Sequence, residues 1–168
     1  HLGSDNVLMR ILVVEDELKM AGLLRRGLVE EGYAVDVART GDDAIWMASA
    51  VHYDAIGLDL MLPGVDGIEV CRRARENGVW SPVLMLTARD TKRDQAQMRA
   101  AGLNAYLVKP FGADKCVALV ERMLAHASGM IGLPLRLLAR EVYDRVRLRV
   151  GDHQAALVTG EEKIIPAS

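Results

Sequence analysis

Short apolar runs alternate with amphipathic stretches from Met9 to about residue 127, and this alternation restricts the chain to few folds. The runs are apolar at consecutive positions, which is typical of strands buried on both faces of a parallel sheet. The intervening stretches place apolar residues three or four positions apart, which indicates helices. Together they predict an α/β fold whose parallel sheet is covered by helices on both faces. The five predicted strands are RILVVED, AVDVAR, YDAIGLDL, PVLMLTA and AYLVKPF.

Helices are predicted between and after these strands. The helix after the second strand begins at Thr40, an N-cap residue, with Asp43 three positions later. The next helix spans about residues 67–76, a polar and exposed helix follows in TKRDQAQMRAAG, and the last spans residues 113–127. The first helix carries one apolar stripe, formed by Leu18, Ala21, Leu24 and Leu28.

Polar side chains stand where the predicted strands end. Open α/β sheets bind their ligands at the carboxyl ends of the strands. Residues at those ends are therefore the candidates for a functional site. They are Glu15 and Asp16 after the first strand, Asp59 after the third, Thr87 after the fourth and Lys109 after the fifth.

Each candidate also has an ordinary structural explanation. An aspartate at a strand end often caps a turn, and Asp59 shortly precedes a Pro-Gly pair. Glu15 and Asp16 could cap the first helix. Thr87 could end its strand, and Lys109 could be a solvated lysine. Singly, these explanations are the simpler ones, but they do not explain why all five residues follow strands of one sheet.

The three carboxylates imply a cation. Packed together, they would repel one another and raise one another's pKa unless a positive ion neutralised them. A hard divalent ion suits such oxygen ligands, and Mg²⁺ fits best because it keeps several waters and leaves room for phosphate oxygens. The predicted ligands are Glu15, Asp16 and Asp59, with the backbone carbonyl of Met61.

These side chains are suited to phosphoryl transfer. A carboxylate beside Mg²⁺ and a lysine can attack phosphorus, since the two cations offset the charge that builds on the phosphoryl oxygens. Asp59 is the predicted nucleophile, Lys109 the charged partner of the phosphoryl group, and the Thr87 hydroxyl a donor to another of its oxygens. The Lys109-Pro110 bond is a candidate cis peptide.

Charge and composition argue against several classes of protein. The formal net charge is -2, so overall electrostatics does not drive binding to nucleic acid or anionic lipid. No apolar run approaches the roughly 20 residues of a membrane span, and no signal-peptide pattern precedes the first strand. Cys71 and Cys116 lack partners at metal-ligand spacing and are expected to be reduced. We therefore expect a cytoplasmic protein without a membrane partner.

The segments ILVVEDE, LDLMLPGVDG, VLMLTARD and YLVKPF, in this order and spacing, resemble the receiver domains of two-component response regulators. The resemblance covers about residues 9–125. The details LMLPG and LTARD are most similar to the OmpR/PhoB subfamily of transcriptional regulators. The resemblance implies a flavodoxin-like, doubly wound sheet of five parallel strands in the order 2-1-3-4-5.

The same resemblance implies a function for each site residue. Asp59 would accept a phosphoryl group from a partner histidine kinase, and Glu15, Asp16 and Asp59 would hold Mg²⁺. Thr87 and Tyr106 would shift together as a switch. Such a domain is a phosphoacceptor that assists its own phosphorylation and dephosphorylation, not an enzyme in the usual sense, and its output would be the regulation of transcription.

Three regions of the chain are expected. Residues 1–8 form a tag or disordered segment, residues 9–127 the receiver domain, and residues 128–168 a linker with a truncated or degenerate effector segment. RVRLRV predicts a strand with a solvated arginine face, and HQAALVTGEEKIIPAS predicts two more strands around Gly160. In the subfamily a small antiparallel platform opens a winged-helix domain, and LRVGD is similar to its first strand. DNA is an expected partner only if a complete effector domain exists beyond this chain.

The chain departs from the subfamily at the dimer face. Active OmpR/PhoB-type receivers resemble one another in pairing through helix 4, strand 5 and helix 5, with ion pairs between subunits. We expect a monomer, or a dimer that does not use this face, because most complementary charges are missing or reversed. The alternative is that Lys115 and Glu121 pair with opposite polarity while Met98 and Leu119 supply apolar contacts. The matching positions are Gln95, Ala100, Asn104, Ala105, Lys115, Leu119 and Glu121.

Two other functions stay open. The first is a stand-alone signalling or adaptor module whose C-terminal segment binds protein rather than DNA. The second is a Mg²⁺-dependent aspartyl-phosphate hydrolase of the haloacid-dehalogenase type, which needs an Asp-x-Asp after its first strand. This chain has VVEDE there and its candidate nucleophile after the third strand, so the hydrolase is the less favoured of the two.

Overall fold

The computed structural model describes residues 8–127, 155–158 and 163–164. The expected tag at His1 to Ser4, the linker and the RVRLRV strand lie outside the described residues. The elements in chain order are β1 (Arg10–Val14), α1 (Leu18–Glu30), β2 (Ala34–Ala38), α2 (Gly41–Ala50), β3 (Ala55–Asp59), α3 (Gly67–Glu76), β4 (Val83–Thr87), α4 (Lys92–Ala100), β5 (Ala105–Val108), α5 (Ala113–Ala127), β6 (Ala155–Val158) and β7 (Lys163–Ile164).

The first five strands form a parallel sheet in the order β2-β1-β3-β4-β5. This confirms the predicted flavodoxin-like order. Two short strands on either side of Gly160 were also predicted, and β6 and β7 flank that residue. They extend the sheet beyond β5, with β6 antiparallel to β5 and β7 antiparallel to β6.

The strands are buried because helices pack on both faces of the sheet. Along β1, Ile11 and Val13 belong to a core with α1 and α5, whereas Leu12 and Val14 belong to a second core with α2, α3 and α4. Successive residues of a strand point to opposite faces, so an unbroken apolar run supplies both cores at once. The sheet therefore presents polar groups mainly at its two ends.

The local signals for α1 and α2 can be compared with the structure. Thr40 is the N-cap of α2 and its side chain accepts a hydrogen bond from the Asp43 backbone N–H, as predicted. The expected stripe on α1 is wrong at one position, since Leu18 is 67% exposed. Leu18 is the first residue of α1, and the apolar contact with the core begins one turn later. The other stripe residues, Ala21, Leu24 and Leu28, are buried.

Two further expectations concern the side chains of α4 and α5. Met98 and Leu119 were considered as exposed apolar contacts of a dimer face, but both are buried in the two cores. That alternative is therefore wrong for these two residues.

Cys71 and Cys116 are free and buried, and the Lys109-Pro110 peptide is cis, as predicted. None of the helices in the described part of the chain combines the length and apolar character needed to cross a bilayer.

Candidate functional site

Asp59 is the last residue of β3 and is only 3% exposed. Its two carboxylate oxygens have different partners. Oδ1 accepts a hydrogen bond from the Met61 backbone N–H at 2.9 Å, and Oδ2 accepts one from Lys109 Nζ at 3.0 Å. Oδ1 thus caps the turn after β3, which is the structural explanation considered for Asp59. Oδ2 does not cap the turn but faces Lys109, and it is the oxygen that a functional role would use.

Lys109 follows β5 and points back across the end of the sheet. Its Nζ lies 3.0 Å from Asp59 Oδ2 and 3.7 Å from Glu15 Oε2. Its backbone N–H donates to the Thr87 carbonyl oxygen at 2.7 Å, which fixes the start of the loop after β5. Lys109 is therefore not a solvated surface lysine, because its side chain is 22% exposed and faces two carboxylates.

Three carboxylates converge beside this lysine. Oxygens of Glu15, Asp16 and Asp59 lie within 4.8 Å of one another. Glu15 and Asp59 are buried, while Asp16 is exposed and can reach solvent. The N-cap residue of α1 is Glu17, so neither Glu15 nor Asp16 is at the N-cap position considered for them.

The cluster holds more negative charge than Lys109 can balance. Burial is the main reason that the pKa of Glu15 rises to about 8, and the neighbouring Asp59 carboxylate adds to the rise while Lys109 opposes it. Glu15 Oε2 is also buried without a hydrogen-bond partner among the described residues. A buried carboxylate oxygen of this kind is costly unless a cation or proton satisfies it. The donor set fits a hard divalent ion with oxygen ligands.

Gly67 holds the turn after β3 against the site. Its backbone N–H donates to the Leu60 carbonyl oxygen at 2.9 Å. A Cβ at this position would lie 2.3 Å from the Asp59 carbonyl oxygen, closer than any real contact. Glycine is therefore required here because the chain passes directly against the strand end that carries Asp59.

Thr87 ends β4 and is fully buried. Its hydroxyl accepts from the Arg89 backbone N–H at 2.8 Å and donates to the Arg89 carbonyl oxygen at 2.9 Å. The Arg89 guanidinium bonds to Asp94 Oδ1 at 2.5 Å and approaches Met61 Sδ at 3.9 Å. Asp94 also forms a capping box with Thr91 at the start of α4. One short path of contacts therefore joins the Thr87 hydroxyl to α4.

Sequence reasoning did not identify Arg89 or Asp94. The available signal was the T-x-x-D spacing of Thr91 and Asp94, which indicates the start of a helix. No comparable signal predicts that Arg89 turns toward Asp94, because the pairing depends on the conformation of the loop after β4.

Tyr106 lies in β5 and is 3% exposed. Met85 and Tyr106 are neighbours in the register of β4 and β5, as are Thr87 and Val108. Residues two positions apart on a strand share a face, so the side chains of Thr87 and Tyr106 lie on the same face of the sheet. The backbone carbonyl of Met61 as a metal ligand stays a prediction.

Comparison with known proteins assigns most of this chain to the family that its sequence resembles. The family model described as "Response regulator receiver domain" matches residues 11–121. The transcriptional regulatory protein TcrA of Mycobacterium tuberculosis is 51% identical over 115 residues, which cover 68% of this chain and 46% of that protein. The transcriptional regulatory protein ResD of Bacillus subtilis is 41% identical over 152 residues, which cover 90% of this chain and 62% of that protein.

One solved structure of the same fold contains a metal ion. It is the receiver domain of the sensor histidine kinase PA1611 from Pseudomonas aeruginosa, with a magnesium ion coordinated in its active-site cleft. The TM-score is 0.64 and the identity 33%, over 70% of this chain and 98% of that one. The present chain spans roughly half to two thirds of the length of the curated relatives it matches.

Proposed function

The chain belongs to the response regulator receiver domain family, and from that membership we propose that a sensor histidine kinase phosphorylates it on Asp59 in a Mg²⁺-dependent reaction. The observation that carries the proposal is the 3.0 Å contact between Lys109 Nζ and Asp59 Oδ2, inside a cluster of three carboxylates. This arrangement supports the proposal, because one carboxylate could serve as the nucleophile, Lys109 as the cation for the phosphoryl group, and the carboxylate oxygens as ligands for a metal.

The chemistry is the transfer of a phosphoryl group between two side chains. A carboxylate oxygen of Asp59 attacks phosphorus while the bond between phosphorus and the histidine nitrogen of the kinase breaks. The electron pair of that bond stays with the imidazole, and Asp59 becomes an acyl phosphate. The Lys109 ammonium, which faces Asp59, then donates to a phosphoryl oxygen.

Glu15, Asp16 and Asp59 would hold the metal, together with the Met61 backbone carbonyl. Mg²⁺ supplies positive charge beside the phosphoryl oxygens and so lowers the barrier to attack by a carboxylate. The buried Oε2 of Glu15 supports this assignment, because it otherwise lacks a hydrogen-bond partner in the described part of the protein. The exposed Asp16 gives the metal a route from solvent.

Thr87 would couple phosphorylation of Asp59 to a conformational change in the rest of the domain. Its hydroxyl donates to the Arg89 carbonyl oxygen, and it must give up that bond to donate to a phosphoryl oxygen. The loop that carries Arg89 would then move, and with it the Arg89–Asp94 pair at the start of α4. Tyr106 would shift with Thr87 on the same face of the sheet. We propose that this change is the switch.

The output of the switch would be the control of transcription. The curated relatives TcrA and ResD are transcriptional regulatory proteins. DNA would be a partner only if a complete effector domain exists beyond this chain. The proposed location is the cytoplasm, where the buried thiols of Cys71 and Cys116 would stay reduced.

We also propose that the protein does not form the subfamily dimer through α4, β5 and α5. Asn104 Oδ1 is already used within the subunit, since it accepts from Arg75 Nη2 and from the Val83 backbone N–H. Ala105 and Leu119 are buried and cannot reach a partner. Sedimentation with and without beryllofluoride tests this, because a dimer that appears only with beryllofluoride would contradict it.

The phosphorylation proposal is tested by intact mass after incubation with a small phosphodonor and Mg²⁺. One phosphoryl group is expected on the parent protein and none on Asp59→Asn. Asp54→Asn is the matched control, because Asp54 is a carboxylate next to the other end of β3. Uptake by Asp59→Asn at the parent rate would refute the assignment. Phosphotransfer from a histidine kinase core domain then tests the partner separately.

A further inference from the structure

The outer edge of β5 is occupied by a later segment of the same chain. β6 pairs with β5 in antiparallel register, with Ala105 opposite Leu157, Tyr106 opposite Ala156 and Leu107 opposite Ala155. Three of the four residues of β5 therefore have a partner on the side away from β4. The paired stretch contains Tyr106, which is the proposed switch residue.

β5 lacks the features that usually protect an edge strand. Edge strands avoid uncontrolled pairing through charged residues, proline or bulges within the strand. The sequence of β5 is AYLV, and Ala105, Tyr106 and Leu107 are all buried. An open edge of this kind presents free N–H and C=O groups to any available strand. The outer edge of β5 is therefore suited to pairing with a further strand.

The hydrogen bonds of β5 show which groups face outward. The Lys109 backbone N–H donates to the Thr87 carbonyl oxygen, on the β4 side. The backbone groups of successive residues in a strand point to alternate neighbours. The N–H of Leu107 therefore points to β4, and that of Tyr106 points to β6. By the antiparallel pairing of Tyr106 with Ala156, Ala156 faces β5 with its backbone groups, whereas those of Leu157 face away from it.

We propose that the outer edge of β5 is a strand-binding surface whose occupant is residues 155–158 of the same chain. This occupancy keeps the edge from pairing with a second copy of the protein and places the C-terminal segment beside Tyr106. The inference goes beyond the phosphorylation chemistry and does not depend on it. Its failure is therefore distinguishable from the failure of the proposed function.

Competition between the two possible occupants favours the segment of the same chain. A strand tethered to its own binding surface acts at an effective concentration on the order of millimolar. A second copy of the protein competes only at its solution concentration, which is on the order of micromolar in the measurements below. With similar backbone hydrogen bonds in both cases, the tethered strand occupies the edge in nearly all molecules.

Amide hydrogen exchange of the whole chain, resolved by NMR, tests the pairing directly. The amide of Tyr106 is expected to be protected at micromolar protein, to an extent that does not change on dilution. Fast exchange of this amide would refute the proposal, since the edge would then be open. Protection that falls on dilution would also refute it, because the occupant would then be a second copy.

Two proline variants provide a matched pair. Ala156→Pro removes a donor that points to β5, and we expect protection at Tyr106 to fall by at least about tenfold. Leu157→Pro removes a donor that points away from β5, and we expect a much smaller change. Leu157→Ala controls for the loss of the Leu157 side chain. Amides of β1, such as Val13, report whether each variant is folded. Equal protection at Tyr106 in the two proline variants would overturn the proposal.

Discussion

The two ends of the parallel sheet differ in how fully their polar groups are paired. Hydrogen bonds join the residues of the amino-end rim, which lie at or just before the starts of their strands. They are Arg10, Tyr53, Asp54, Ser81 and Asn104. The Ser81 hydroxyl donates to the Tyr53 carbonyl oxygen at 2.6 Å, and the Asp54 carboxylate accepts from the Arg10 backbone N–H at 2.8 Å. Charge and hydrogen-bonding capacity are matched at this rim.

The carboxyl-end rim, formed by Glu15, Asp16, Asp59, Thr87 and Lys109, is not matched. Three carboxylates meet one ammonium group, and Glu15 Oε2 has no hydrogen-bond partner among the described residues. Burial, and after it the neighbouring Asp59 carboxylate, raise the pKa of Glu15. The comparison teaches that the unbalanced charge lies at the end proposed to bind the metal and the phosphoryl group, whereas the hydrogen bonds of the other end stabilise the sheet.

The largest expected effect is at the amino-end rim. Arg75, from the end of α3, bonds to the carbonyl oxygens of Val79, Ser81 and Gly102 and to Asn104 Oδ1. Arg75→Leu leaves these partly buried acceptors without a donor, so we expect the free energy of unfolding to fall by about 2–4 kcal/mol. Urea denaturation measures this change.

Arg72→Leu is the matched control for that prediction. Arg72 lies on the same helix but is exposed, and its partners Glu69 and Glu76 are surface carboxylates. We expect a loss of less than about 1 kcal/mol. Phosphorylation of Asp59 should proceed in both variants below their melting temperatures. Equal losses of stability in the two variants would show that the amino-end network does not stabilise the sheet.

A smaller effect is expected on metal affinity at the carboxyl-end rim. Asp16 can reach the metal directly with a short side chain, whereas Glu15 is predicted to act through a water. We expect Asp16→Asn to weaken Mg²⁺ binding by about tenfold or more, and Glu15→Gln to weaken it less. Calorimetry is the suitable measurement, because Trp46 and Trp80 are both exposed and Trp80 precedes β4 at the opposite end of the sheet. Parent-like affinity in Asp16→Asn would contradict the proposed site.

The third prediction is a gain in stability. Asp59→Asn removes a buried negative charge from the carboxylate cluster, so we expect the free energy of unfolding to rise by about 1 kcal/mol without metal. Saturating Mg²⁺ should reduce or reverse the difference, because it stabilises the parent more than the variant. Asp54→Ala at the amino-end rim is the control and should destabilise the protein by about 1 kcal/mol, since it removes an acceptor. A loss of stability in metal-free Asp59→Asn would mean that the Lys109 ion pair outweighs the repulsion.

The sequence predicts the carboxyl-end rim much better than the amino-end rim. Asp59, Thr87 and Lys109 stand at strand ends, so the strand pattern alone brings them together. Arg75 and Ser81 give no such signal, because they act through backbone carbonyls whose positions depend on the finished loops. The alternation of apolar runs also predicts the five parallel strands.

The sequence could predict β6 and β7 but not their place in the sheet. Turn residues around Gly160 indicate two strands, whereas the choice of β5 as their neighbour depends on which edge stays open after the fold is complete. Sequence patterns describe each strand separately and do not rank the available edges. Leu18 shows the same limit, since its periodic position does not reveal that the core begins one turn later.

The smallest expected effect concerns a single hydrogen bond at the amino-end rim. The Tyr53 hydroxyl donates to Asp36 Oδ2 at 2.8 Å, and Tyr53→Phe removes this donor while keeping the ring. Asp36 Oδ2 keeps its ion pair with Arg10 Nη1 at 3.1 Å, so we expect a loss of only about 0.5–1.5 kcal/mol at pH 7.

The pH dependence of that loss separates the hydrogen bond from packing. Burial first, and then the bond to Asp36, raise the pKa of Tyr53 from 10.0 to about 12. Because the folded pKa exceeds the unfolded one, the stabilisation is complete below pH 10 and declines as the pH rises toward 12. The advantage of the parent over Tyr53→Phe should therefore shrink between pH 10 and 12, by no more than about 1.4 kcal/mol per pH unit. Urea denaturation at pH 7, 9 and 11 measures it. A difference near zero at all three pH values would show that Tyr53 contributes through its ring alone, and the contrast between the two rims would then rest on Arg75 and its carbonyl partners.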